Sequence, residues 1–194
     1  MPIIKASHRG SMTENLNFSL FSIYDIEVLY PGDWEVRVKQ GSKYTNGSVM
    51  FCTQNLHHAV AITIGWGDLN EARKRFTTAE EQAKDTIKRL EKERKYSRAG
   101  FELIKQEKLV INSHEAIKNI SKMTTIDYSM VLPWYTRKVD HDVQSIFFHC
   151  QESSRYFVII CDGPPNNALN QELIFEYMLT TLKCHCKRKI INLK

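Results

Sequence analysis

Apolar and polar positions alternate through much of the first third of the chain. Residues 18–30 are alternating or nearly continuously apolar and β-branched, and Pro31-Gly32-Asp33 then supplies a turn, which predicts strand, turn, strand. Trp34, Val36 and Val38 alternate with Glu35, Arg37 and Lys39, so a pleated ribbon there has one core face and one wet face. After the polar loop 41–47, residues 48–53 and 59–66 read as further strands joined by the turn 55–58. A β-meander is therefore expected up to Gly67-Asp68.

The period then changes. Helix formers run to Arg98, with Thr78 and Glu81 in capping-box spacing to mark the start and Gly100 to mark the stop. Ala79, Ala83, Ile87 and Leu90 form one apolar stripe of that helix. Strand character resumes over 101–111, where Phe101, Leu103, Leu109 and Ile111 share a phase. It continues through the Asn112-Ser113 turn into 114–127. Residues 129–142, around Pro133, read as irregular; 143–150 and 155–161 read as a hairpin; and Asp162-Gly163-Pro164-Pro165 leads into a helix over 168–183. In that helix Leu169, Leu173, Tyr177 and Thr181 form one row and Ile174, Met178 and Leu182 the next, a broad face that must lie on a sheet. Strands, helix, strands, helix, with hairpin-like connections and no βαβ rhythm, predict an α/β domain of the α+β type. Its sheet should be mainly antiparallel and flanked by helices.

A chain of 194 residues, 42% hydrophobic and 25% charged, fits one globular domain with a core of its own. The expected organisation is a polar leader over 1–17, a single domain over 18–183 and a basic tail over 184–194; the Gly10-Ser11 pair before Met12 resembles a cloning junction. The longest nearly apolar stretches, 59–66 and 156–161, fall far short of the ~20 residues a spanning helix needs. The leader lacks the apolar run of a secretory signal, so a cytoplasmic setting is expected, with Cys52, Cys150, Cys161, Cys184 and Cys186 as thiols.

The net charge of +5 is unevenly spread. Residues 71–98 hold ten Lys/Arg against six Asp/Glu, and residues 183–194 hold five against none, whereas the rest carries 12 basic against 16 acidic side chains. Arg73, Lys74, Arg75, Lys88, Arg89 and Lys92, with Lys187, Arg188 and Lys189 of the tail, therefore form a candidate basic surface for an acidic partner or nucleic acid. The competing reading is a solvated helix face and a solubilising tail.

Candidate chemistry is sparse. Cys184-His185-Cys186 and His149-Cys150 offer five potential metal ligands, but not the separated pairs usual for structural zinc. Adjacent ligands on a strand would also point to opposite faces. Buried thiols and a surface histidine are thus the favoured reading, with no metal and no cofactor. Asp140-His141-Asp142 and His57-His58 read as solvated polar segments, and no phosphate loop, nucleophile elbow or zinc-protease helix is present in the sequence. The segment 132–138 combines Trp134 and Tyr135 with Arg137 and Lys138, residue types enriched at binding hot spots, and is the best local candidate for a partner contact. The alternative is that Trp134 and Tyr135 fold back over the sheet.

The run Val28-Leu29-Tyr30-Pro31-Gly32-Asp33-Trp34-Glu35-Val36 resembles the PsbP and Mog-type proteins. So do the strand 60–66, the central helix, the segment Val110-Ile111-Asn112-Ser113-His114-Glu115-Ala116, and the closing hairpin with its helix. The resemblance spans residues 20–184 and rests on order and spacing. It implies an antiparallel sheet between helices, an α/β/α sandwich, and a binding module without catalysis whose partner is a protein; a nucleic-acid-associated role on the basic surface is the alternative. Ser113 stands where the family commonly has glycine, which leaves the turn type open.

Overall fold

The computed structural model describes residues 17–54, 60–95, 99–128, 136–165 and 168–185. Its centre is a seven-stranded sheet in the order β3-β4-β5-β9-β8-β7-β6, formed by β3 (Glu35–Val38), β4 (Gly47–Cys52), β5 (Ala61–Asp68), β6 (Gly100–Ile111), β7 (His114–Tyr128), β8 (Thr136–Cys150) and β9 (Arg155–Gly163). Every neighbouring pair is antiparallel, as the run of hairpin connections predicts. The one non-consecutive pairing, β5 with β9, closes two meanders into one sheet.

Alternation along β8 separates the two faces. Ile146, Phe148 and Cys150 enter the main core, with Phe157 and Ile159 of β9 and Phe51, Ile62 and Ile64 of the meander, while Phe147 between them joins Ile117 and Ala83 on the opposite side. Helix α3 (Ala168–Thr181) covers the first face through Phe175 and Met178, and Leu182 just beyond its end joins them. Helix α2 (Ala79–Lys95) covers part of the second. The architecture is an α+β fold with a helix on each side of the sheet.

Four sequence expectations change in the structure. The apolar run 18–30 is not one strand: β1 (Phe18–Ile23) and β2 (Ile26–Pro31) form a separate hairpin, turning at Tyr24 and Asp25 with φ of 51° and 60°. That two-residue primed turn matches strand twist but lacks the glycine or asparagine that would have flagged it. An additional helix, α1 (Leu69–Arg73), follows β5 because the Asp68 carboxylate accepts from the Asn70 and Glu71 amides. A register shift between Leu103 and Lys105 moves β6 out of phase. Leu103 then pairs with Ser121 and Leu109 with Ala116, so the expected common face of Phe101, Leu103, Leu109 and Ile111 is split between opposite sides, and Ile104 is left largely exposed. In α3, Leu173 points to solvent, whereas Gln171, Phe175 and Met178 are buried, as is Leu182 just beyond the helix.

The α2 start is as expected in kind and shifted in detail. Thr78 Oγ1 accepts from the Glu81 amide, but the Glu81 carboxylate accepts chiefly from the Thr77 amide and hydroxyl, one residue before the expected cap. No helix of the described residues is long and apolar enough to cross a membrane.

Candidate functional site

One end of the sheet gathers polar chemistry inside the core. His114 opens β7 directly after the tight turn at Asn112-Ser113, Cys150 closes β8, and Cys184 and His185 follow α3, whose end is held to the same turn by the Asn112 side-chain amide donating to the Leu182 carbonyl. These three places bring two thiols and two imidazoles together, with one ligand atom from each lying within 4.8 Å of all the others. His185 Nδ1 is 3.4 Å from Cys150 Sγ and 3.3 Å from Cys184 Sγ. The His114 ring is buried, stacks on Phe148 and meets His185 edge-on, and its Nε2 has no hydrogen-bond partner among the described residues. The nearest carboxylate oxygen, on Glu152, stands 3.9 Å away, beyond hydrogen-bonding reach.

The surroundings separate the two thiols electrostatically. A hydrogen bond from Cys184 pulls the Cys150 thiol well below its usual range, helped by Ser153 and against burial. The same interaction, with burial, pushes Cys184 up. Cys161, on the neighbouring strand, is a contrast: burial raises its thiol to about 11, and its sulfur accepts from the Gln171 side chain. Among the described residues Cys52, Cys150, Cys161 and Cys184 are free and buried.

Arg155 braces this end of the molecule from within. Its Nη1 donates to the Tyr24 carbonyl at 2.8 Å and its Nη2 to the Cys184 carbonyl at 2.8 Å, and the guanidinium lies over the Tyr44 ring. The β1–β2 turn, the loop before β4 and the segment after α3 therefore meet on one side chain.

The sequence candidates are only partly brought together. Of the five proposed ligands, Cys150, Cys184 and His185 converge. His149 points to the other face and hydrogen-bonds Gln82 at 3.0 Å, and Cys186 lies outside the described residues. Adjacent ligands on a strand would diverge, but Cys184 and His185 follow a helix end outside any named strand, where neighbouring side chains can turn to one point. The fourth member, His114, is distant in sequence from the others, so no local spacing announces it. His141 does not pair with Asp140 or Asp142; it contacts Asp162 and Thr125, each at 3.0 Å, and Asp140 accepts from Thr124.

Arg137 and Lys138 belong to β8 and not to a loop, opposite Asp127 and Ile126 of β7, and both are exposed. Trp134 and Tyr135 lie outside the described residues, as do His57, His58, Lys187, Arg188 and Lys189. Beyond Thr124, where β6 ends its pairing, the described ladder consists of β7 and β8 alone. The basic surface of the helices is interleaved with acid: Lys74 pairs with Glu71, Arg75 with Asp85 and Arg89 with Glu93, while Arg73 donates to Gln151. Lys88 and Lys92 are exposed on α2. Beside α2, a cleft of about 490 Å³ opens over the sheet, floored by Asn119, Ser121 and Ser145 and walled by Phe101, Ile87 and Ile160.

No protein-family model matches the sequence, and no curated protein matches it. Solved structures do. The solution structure of cyanobacterial PsbP (CyanoP) from Synechocystis sp. PCC 6803 is similar over 92% of this chain and 97% of its own, with a TM-score of 0.58 at 10% identity. The crystal structure of the Saccharomyces cerevisiae Ran-binding protein Mog1p is similar over 86% and 95%, with a TM-score of 0.51 at 8% identity. The chain thus has a PsbP/Mog-like fold, as the sequence resemblance implies. At these identities the likeness extends to the fold.

Proposed function

We propose that this chain is a non-catalytic intracellular protein-binding module whose partner contact is centred on the β7–β8 arm. The observation that carries the reading is the arm itself: β7 and β8 run on past the sheet as a paired ribbon, present Arg137 and Lys138 to solvent, and flank the segment holding Trp134 and Tyr135. Aromatic side chains beside arginine are the residue types that dominate binding energy at protein interfaces. One protein with a similar fold, Mog1p, is described as Ran-binding, which supports the general idea of a protein ligand without naming this one. The four free buried thiols are consistent with a reducing compartment.

A nucleic-acid role on the basic surface draws less support, because Lys74, Arg75 and Arg89 each face a carboxylate that offsets their charge locally. Both readings meet in one experiment. Crosslinking and affinity capture from host extract, using the intact chain and a Trp134→Ala/Tyr135→Ala variant shown to be folded, is expected to recover a protein whose yield falls at least tenfold in the variant. Equal yields would remove the arm as the contact. A labelled single strand that binds at low salt and is lost steeply as salt rises would favour the nucleic-acid reading instead.

A further inference from the structure

We propose that His114, Cys150, Cys184 and His185 form a four-ligand structural zinc site that fastens the end of α3 to the β6–β7 turn and the end of β8. The donor set is the first reason. Two cysteine sulfurs and two imidazole nitrogens are the ligands that borderline-soft, geometry-tolerant Zn(II) takes in closed tetrahedral sites. Two thiolates also neutralise its charge, so the loaded site adds no net charge to a core lined by Phe148.

Geometry is the second reason. With Zn–S near 2.3 Å and Zn–N near 2.0–2.1 Å, a tetrahedron has S···N edges of about 3.6 Å. His185 Nδ1 already stands at 3.4 Å and 3.3 Å from the two sulfurs. The most distant ligand atoms, within 4.8 Å, need to close by about 1 Å. Third, His114 Nε2 is buried and unpartnered, a polar atom whose burial is costly until something accepts its lone pair or proton. A metal coordinated there removes that cost.

Supporting contacts are already in place. The Ser153 amide donates to Cys150 Sγ at 3.4 Å, and Arg155 holds the Cys184 carbonyl at 2.8 Å, fixing the backbone that presents both Cys184 and His185. All four coordination positions are filled by protein, which makes the site structural and not hydrolytic.

Untagged protein purified under reducing conditions without chelator is expected to contain equimolar zinc by elemental analysis. Co(II) added after metal removal should give a tetrahedral d–d spectrum with a thiolate-to-cobalt charge-transfer band. Cys150→Ser and Cys184→Ser should each lose the equimolar zinc, while Cys52→Ser and Cys186→Ser keep it. If the ligand variants prove too unstable to isolate, maleimide labelling of the wild-type chain reads the same site: zinc should shield Cys150 and Cys184, and chelation should expose them. Strongly substoichiometric zinc with no charge-transfer band on cobalt titration overturns the proposal. So does a Cys150–Cys184 disulfide in the reduced preparation, and loss of metal on Cys186→Ser with retention on Cys184→Ser overturns the ligand set.

Discussion

Asn112 and Ser113 both adopt positive φ, 47° and 68°, in the two-residue turn from β6 to β7, the primed hairpin geometry that right-twisted strands prefer. Asparagine tolerates this region; serine bears a Cβ penalty there. The serine that left the turn type open in the sequence thus sits in a conformation suited to glycine, and the turn is kept by its surroundings, including the Asn112 bond to the Leu182 carbonyl. Ser113→Gly is expected to raise stability by about 0.5–1 kcal/mol, the relieved strain outweighing the extra entropy of the unfolded glycine. A denaturant midpoint that moves upward with unchanged slope would bear this out; a fall would mean that the Ser113 side chain contributes more than its backbone costs.

At the scale of elements, α2 is fastened to the sheet edge by charge as well as by its apolar stripe. Glu80 in its first turn accepts from Lys84 at 2.7 Å and pairs with Lys108 of β6 at 2.9 Å. Those bonds, Lys84 first and Lys108 next, bring its carboxyl down to about 2 from 4.5. A folded-state value below the unfolded one means that the pairing contributes fully above pH 4.5 and is lost as pH falls toward 2. Lys108 is exposed and Glu80 half-buried at the surface, so the effect on global stability is small and the carboxyl itself is the better probe. An NMR titration of the Glu80 side chain should place its midpoint well below that of an unpaired glutamate, and Lys108→Ala should raise it partway. An unchanged midpoint would show that the tie between helix and strand does not persist in solution. The stripe itself is shorter than its sequence period suggests: Ala83 and Gln82 are buried, while Ile87 and Leu90 stand over the cleft instead of a filled core.

For the whole molecule, Arg155 is the residue through which separate segments are held in one arrangement. It is 1% exposed, and it donates at 2.8 Å to the carbonyls of Tyr24 and Cys184, at opposite ends of the chain, and at 3.4 Å to that of Tyr44. Arg155→Met keeps much of the volume but strands the closely bonded Tyr24 and Cys184 carbonyls, and an unsatisfied buried polar group costs about 1–3 kcal/mol. A loss of about 3 kcal/mol in unfolding free energy is expected. Loss under 1 kcal/mol would mean that water replaces the guanidinium, and the brace would then be dispensable.

Local pattern made much of the fold legible: Trp34 and Val36 turn inward opposite exposed Glu35 and Arg37, although Val38 at the strand end is exposed, and the first turns of the helical stripe at Ala79 and Ala83, the Thr78 cap and the hairpin before α3 follow from which side chains must leave water and which backbone angles each residue prefers. Other features were decided only by the assembled structure. The shift at Leu103 to Lys105 sends the two halves of β6 to different faces because ladder register, and not residue type, fixes the side on which a strand residue emerges. Arg137 and Lys138 became strand residues because β7 offers them an antiparallel partner. The cysteine-histidine cluster was legible only in part. Cys150, Cys184 and His185 stood out as candidates in the sequence, but no local spacing joins them to His114; they meet because the β6–β7 turn, the end of β8 and the end of α3 are brought to one end of the sheet. Local residue pattern thus sets which side of each stretch leaves water, whereas the distant polar side chains that share a buried corner are chosen by tertiary contact, because their meeting depends on how whole elements pack.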